Sequence, residues 1–350
     1  MKHARTVLVL GPLLAIACGQ GAAPRSEEAT TTSADLTTQS AAPGAAQDDP
    51  HKDWIHVAGG HLMHPSCVHQ APDGAHVDAH GYVAADGKRT DFPDCAYAPY
   101  DVPNAQKPLA SDSASSVPGG TLNGWLLNDQ AISSTYLTAL SNSWTVPAAP
   151  THSETGETLI MFGSFTTPEA NNMILQPELR WTKANGWFTT AEVFVNGGAR
   201  CAQWDFQTSY LKAAVGDTIG GHMAIISVTN GVQRWEVSVT DSTNHTSTGF
   251  TVDGVDCAVG KQVFKAAQGA VLEVHNVSQC NDLPADSVVF SHNLYESTST
   301  TILANSMPTT RTFSPTWKQY YINNSTQPFG SSCPFGVNES SDGTGTTLSY

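Results

Sequence analysis

Two stretches of this 350-residue chain place reactive side-chain types at spacings that could do chemistry. The first is His61-x-x-His64-x-x-Cys67-x-His69, with His56, His76 and His80 close by. Imidazole and thiolate at such intervals suit zinc, which takes both in a tetrahedral shell. A Cys67–Cys95 disulfide would withdraw the thiol and leave the histidines as polar surface, and on that reading no metal or other cofactor is expected. The second stretch is Ala270–Val277. Read as a strand, it sets Val271, Glu273, His275 and Val277 on one face, with Leu272, Val274 and Asn276 on the other. Glu273 then sits on a partly apolar face. Burial there disfavours the charged carboxylate and raises its pKa, which suits a general acid or base.

Met173–Trp181 alternates in the same way. Met173, Leu175, Pro177, Leu179 and Trp181 are expected in the core, and Ile174, Gln176, Glu178 and Arg180 face solvent or a cleft. Glu178 and Arg180 either line that cleft and bind substrate, or form an ion pair. The plain alternative for both strands is a solvated polar face.

The elements that must position these residues are short. Runs rich in Val, Ile, Thr, Phe and Trp recur from about residue 121, separated by Gly, Asn and Asp, and no 3.6-residue pattern lasts beyond two turns. Candidate strands are Thr158–Phe165, Met173–Trp181, Trp187–Val195, His222–Thr229, Val232–Val239, Phe250–Val252, Val263–Ala267, Ala270–Val277 and Val288–Leu294. Nine strands in about 220 residues point to an all-β fold, two large antiparallel sheets packed as a sandwich over 121–350. Residues 53–105 read as a small Cys/His-rich β unit and 106–120 as a linker. Residues 18–52 are expected to be a disordered tether, too poor in large apolar side chains to offset the entropy of ordering.

Segment Ala270-Val271-Leu272-Glu273-Val274 is similar to the strand bearing the catalytic glutamate of the eqolisins, the glutamic peptidases. Met173-Ile174-Leu175-Gln176-Pro177 resembles the strand bearing their catalytic glutamine. Val215-Gly216-Asp217-Thr218-Ile219 resembles a strand entry of the same family, and Leu283-Pro284-Ala285 with Val288-Val289-Phe290 resembles its closing loop and strand. The resemblance spans roughly residues 140–295. It implies a concanavalin-type sandwich and an acid-active endopeptidase without cofactor. In it Glu273 activates water against a polypeptide substrate, and the Gln176 amide stabilises the oxyanion. The alternative is a non-catalytic module of the same fold, a surface lipoprotein that binds glycans or peptides. Trp181, Trp187, Trp204 and Trp235 are expected as packing rather than as a sugar platform.

Lys2 and Arg5, the apolar run Val7–Leu14, and Ala15-Ile16-Ala17 before Cys18 form a secretory signal at 1–17 resembling a bacterial lipobox. That implies export and a lipid anchor on Cys18, as the chain's contact with an outer membrane or cell surface; an ordinary signal peptide cut near Ala17 is the alternative. Six further cysteines suggest disulfides with fifteen possible pairings. The sequential set is Cys67–Cys95, Cys201–Cys257 and Cys280–Cys333. A formal charge of −15 becomes −17 once Lys2 and Arg5 are removed, which argues against nucleic acid and against adhesion through a basic patch.

Overall fold

A computed structural model describes residues 50–51, 53–102, 121–167, 173–197, 201–254, 264–298, 305–312, 315–321 and 333–350. The expected all-β sandwich is what the chain builds; among the described residues there is no α-helix. The N-terminal strands are short: β1 (Ile55–Val57), β2 (His61–Met63), β3 (Val68–Ala71), β4 (Ala75–Asp78), β5 (Gly81–Val83), β6 (Arg89–Asp91) and β7 (Tyr100–Asp101). The long ones follow: β8 (Leu122–Ile132), β9 (Tyr136–Thr145), β10 (Thr158–Thr166), β11 (Met173–Thr182), β12 (Gly186–Val195), β13 (Trp204–Thr208), β14 (Leu211–Lys212) and β15 (Thr218–Thr229). They continue with β16 (Val232–Asp241), β17 (Thr246–Asp253), β18 (Ala266–Val277) and β19 (Val288–Thr298). β20 (Arg311–Thr312), β21 (Lys318–Tyr321), β22 (Gly336–Glu339) and β23 (Gly345–Ser349) complete the order.

One sheet runs β21-β8-β18-β10-β11-β12-β13-β3, with β14 beside β12. The other runs β22-β23-β19-β9-β15-β16-β17-β4-β5-β6, with β20 beside β19. β11 and β12 lie against β15 and β16, so the inward faces meet there. The alternation read along β11 holds: Met173 and Leu175 join one buried cluster with Met223, Trp235 and Val237, and Leu179 and Trp181 join a second with Ile219 and Val239. Pro177 stands mid-strand, where its missing N–H weakens the ladder. Gly221 accommodates it from the facing sheet, since a Cβ there would stand 2.8 Å from the Pro177 ring. Trp181, Trp187, Trp204 and Trp235 are all buried, so none of them offers a sugar platform.

The strand map differs from expectation in places. β8 and β9 carry no strong alternation; Asn128-Asp129-Gln130 interrupts the apolar run, yet all three are buried in β8. The segments at Val263–Ala267 and Ala270–Val277 are one strand from Ala266, its irregular pairing with β10 absorbing the break, while Val263 lies outside the described residues. Val277 leaves the Glu273 face for the core, because Asn276 adopts φ 60° and resets the pleat.

The described part of the 53–105 segment, residues 53–102, contributes β3 to one sheet and β4, β5 and β6 to the other, while β1, β2 and β7 form a small sheet of their own. β3 pairs in parallel with β13, and β4 pairs in parallel with β17. Cys67–Cys95 and Cys280–Cys333 are bonded as expected. Cys201 is also disulfide-bonded, whereas its expected partner Cys257 lies outside the described residues, as does Cys18.

Candidate active site

The outward face of the first sheet is polar, and it is buried. Ile160 of β10 pairs with Glu273 on one side and with Arg180 on the other, so the three side chains form one row across β18, β10 and β11. Phe162 pairs with Glu178, which starts the next row. Continuing the same count puts Gln176 level with Ser164, on the same face and diagonally across β10 from Glu273. Gln176 pairs in turn with Glu192 of β12.

Glu273 is fully buried and held at both oxygens. Oε1 accepts the Gly60 backbone N–H at 2.9 Å, and Oε2 accepts the Trp125 indole N–H at 2.7 Å. Burial pushes its carboxyl up to about 7, against the pull of those donors and of the Arg180 charge. His275 Nε2 stands 3.4 Å from Oε1, and burial with the nearby Arg180 charge lowers this imidazole to about 3. Its ring stacks at 4.0 Å on His56, which burial and then His275 hold well below the usual range.

Glu178 and Arg180 form a buried ion pair, and the guanidinium also reaches Glu192. Burial works against the Arg180 charge, but Glu178, Tyr210 and Asp205 around it together raise its pKa. Burial raises Glu178 to about 7 despite Arg180, and lifts Asp205 well above its usual range. The Gln176 amide, 0% exposed, makes no hydrogen bond through either Nε2 or Oε1. Glu178 Oε1 and Asp205 Oδ2 are also without one. Each such buried atom costs about 1–3 kcal/mol when left unpaired.

What covers this face is the chain's own β1–β2 hairpin. Its tip, Ala58-Gly59-Gly60, lies over the floor: the Ala58 N–H donates to Glu192 Oε1 at 3.1 Å, as the Gly60 N–H does to Glu273. Gly59 and Gly60 take φ +77° and +74°, and a Cβ on Gly59 would meet Ile174 at 3.2 Å. Glycine therefore lets the backbone turn and descend this far. Ile55, Val57, Ala58 and Met63 pack on Ile174 and Phe194, and the Cys67–Cys95 bond fastens the segment behind them.

The structure thus sets Glu273, Glu178, Arg180 and Gln176 on one face, with no hydrogen bond between Glu273 and Gln176. Sequence reasoning missed Trp125, Glu192 and the two tip glycines. Only Gly59-Gly60 carried a local signal, that of a tight turn. The histidine-rich segment serves other ends: Cys67 is tied up in its disulfide, His69 stacks on Phe92, and His64 bonds Ser66.

No protein-family model matches this chain, and no curated protein matches it in sequence. Among solved structures it is similar to scytalido-glutamic peptidase with a transition-state-analogue inhibitor, at 14% identity and a TM-score of 0.42, over 65% of this chain and 98% of that one. It is also similar to SCP-B, a member of the eqolisin family of peptidases, in complex with the tripeptide Ala-Ile-His. There the identity is 14% and the TM-score 0.39, over the same shares of the two chains. Likeness at this level carries no activity or family membership with it.

Proposed function

We propose that the chain is an acid-acting glutamic endopeptidase, exported and tethered through Cys18, whose cleft is closed by its own N-terminal hairpin. The observation that carries this reading is Glu273, a buried carboxyl poised near neutrality on a polar sheet face that also bears an unengaged glutamine amide. The strand motifs around Gln176 and Glu273 support it independently.

With the hairpin displaced, water reaches Glu273 and its pKa returns towards the ordinary carboxylate range, so the ionised base persists into acid. Glu273 takes a proton from water as the oxygen attacks a peptide carbonyl, then gives that proton to the departing amine as the C–N bond breaks. A peptide crossing β10 on the Gln176–Glu273 diagonal presents its carbonyl between the two, and the Gln176 amide donates to the oxyanion. The hairpin foreshadows such a ligand, since its backbone N–H groups already satisfy Glu192 and Glu273.

The test is cleavage of denatured casein at about pH 3–4 by the full chain and by Glu273→Gln. Fragments from the parent and none from the variant are expected. Equal cleavage by both removes Glu273 from the mechanism, and no cleavage by a parent whose hairpin has been released leaves a peptide-binding module instead. Labelling with radioactive palmitate, lost in Cys18→Ser, checks the anchor.

A further inference from the structure

A second group of convergent side chains lies at one end of the same sheet, away from any role in the proposed hydrolysis. Thr158 opens β10 opposite His275 of β18, so the segment entering β10 and the turn leaving β18 meet there. Glu157 immediately precedes β10, and Asp282 closes a single 3-10 turn, Cys280–Asp282, after β18. The two segments are tied together: the His152 N–H donates to the Asn281 carbonyl at 3.0 Å, and the Asn276 side chain donates to the Gly156 carbonyl at 3.0 Å. Cys280–Cys333 anchors the turn.

Asp282 is buried and aimed. Its Oδ2 accepts the Ser278 N–H at 2.9 Å, the Ser278 hydroxyl at 3.0 Å and the Gln279 N–H at 3.0 Å. That leaves Oδ1 to face His152 Nδ1 at 2.5 Å, where the Gln279 amide also arrives. Glu157 is only 1% exposed, and neither of its carboxylate oxygens accepts a well-formed hydrogen bond from a donor; the polar groups beside them are the Glu154 backbone and the Asp282 carboxyl itself. One ligand atom from each of His152, Glu157 and Asp282 lies within 4.8 Å of the other two. Two buried carboxyl groups this close need a positive charge or a shared proton between them. Among the described residues no Lys or Arg pairs with either; Lys183 donates to the Ser153 carbonyl at 2.8 Å.

We propose that His152, Glu157 and Asp282 bind a divalent metal ion. One imidazole nitrogen with two carboxylate oxygens suits a borderline ion of the zinc class, whereas calcium prefers six to eight oxygens. The His152 side chain is 42% exposed, so water completes the shell on its open side. The ion clamps the β9–β10 connection to the turn after β18, and neither this site nor its test depends on peptidase activity.

The experiment is calorimetric titration of the EDTA-stripped full chain with zinc chloride, and separately with calcium chloride, at neutral pH. One zinc per chain is expected, bound more tightly than calcium, together with a rise in thermal midpoint. Glu157→Gln and His152→Ala should each weaken that site at least about tenfold and abolish the rise. Glu157→Gln preserves side-chain shape, and His152 is half-exposed, so circular dichroism in EDTA should match the parent for both. No binding up to about 1 mM zinc, or a site undiminished in both variants, overturns the assignment. So does equal affinity for calcium.

Discussion

Glu273 owes its elevated pKa to position rather than to any charged neighbour. Burial is the dominant cause, and the nearby Arg180 charge acts the other way. The general-base role proposed for it makes Gln176 the complementary test. Gln176→Ala should lower kcat by about two to three orders of magnitude with little change in KM, because an oxyanion donor acts chiefly in the transition state. An unchanged kcat would remove the amide from the mechanism. Arg180 has a structural part, since it neutralises Glu178 and Glu192 on the buried sheet face. Arg180→Gln should cost about 3–5 kcal/mol, because it leaves buried carboxylates unpaired. The loss should be larger at pH 8 than at pH 5, where those carboxyls can protonate; urea midpoints at the two pH values measure the difference. At this scale the chain was partly legible. Alternation placed Gln176, Glu178 and Arg180 on one face of their strand and Glu273 on a face of its own, and the family resemblance joined the two, whereas Trp125 and Glu192 reach that face from strands whose neighbours cannot be read locally.

At the scale of the element, the proposed mechanism makes the hairpin the gate to the cleft. Its closure depends on pH through opposed groups. Glu273 and Glu178 stand near 7 when covered, above the ordinary value, so acidification from pH 7 to about 4.5 protonates them in the closed form first and favours closure. Asp205 acts in the same sense. His56 and His275 are depressed, so the open form binds their protons first and closure weakens as pH falls from about 6.5 towards 3. Above about pH 4.5 the two effects oppose each other. Below it the carboxyls contribute little further, and the histidines dominate. The protection of the Gly60 amide, measured by hydrogen exchange relative to the intrinsic rate at each pH, should therefore fall mainly between about pH 4.5 and 3; flat protection there would exclude the histidine pair as the trigger. Gly59→Val adds a β-branched side chain at φ +77° against Ile174 and His61. It should dislodge the tip and move the onset of casein cleavage to higher pH, and an unchanged onset would mean that the hairpin does not gate the cleft.

Across the whole molecule, the N-terminal segment is edge strand and cover at once. Its disulfide closes a 28-residue separation, so replacing Cys67 and Cys95 by Ser should cost about 3–4 kcal/mol by the loop-entropy relation. Thermal unfolding should show the drop, and the cleft should open more readily. The fold class was legible throughout β10, β11, β12, β16 and β19, because a side-chain period of two is a local property written residue by residue. β8 was not, because Asn128, Asp129 and Gln130 look solvated until both sides of the strand are covered. The same limit applies to the site. The chain's own alternation and motifs brought out which carboxyl and which amide share a face. That this face lies beneath Ala58 and Gly60 depends on hydrogen bonds spanning 134 and 213 residues. Contacts of that range leave no periodic trace in the chain, since they arise from where the folded sheets leave room for a glycine turn.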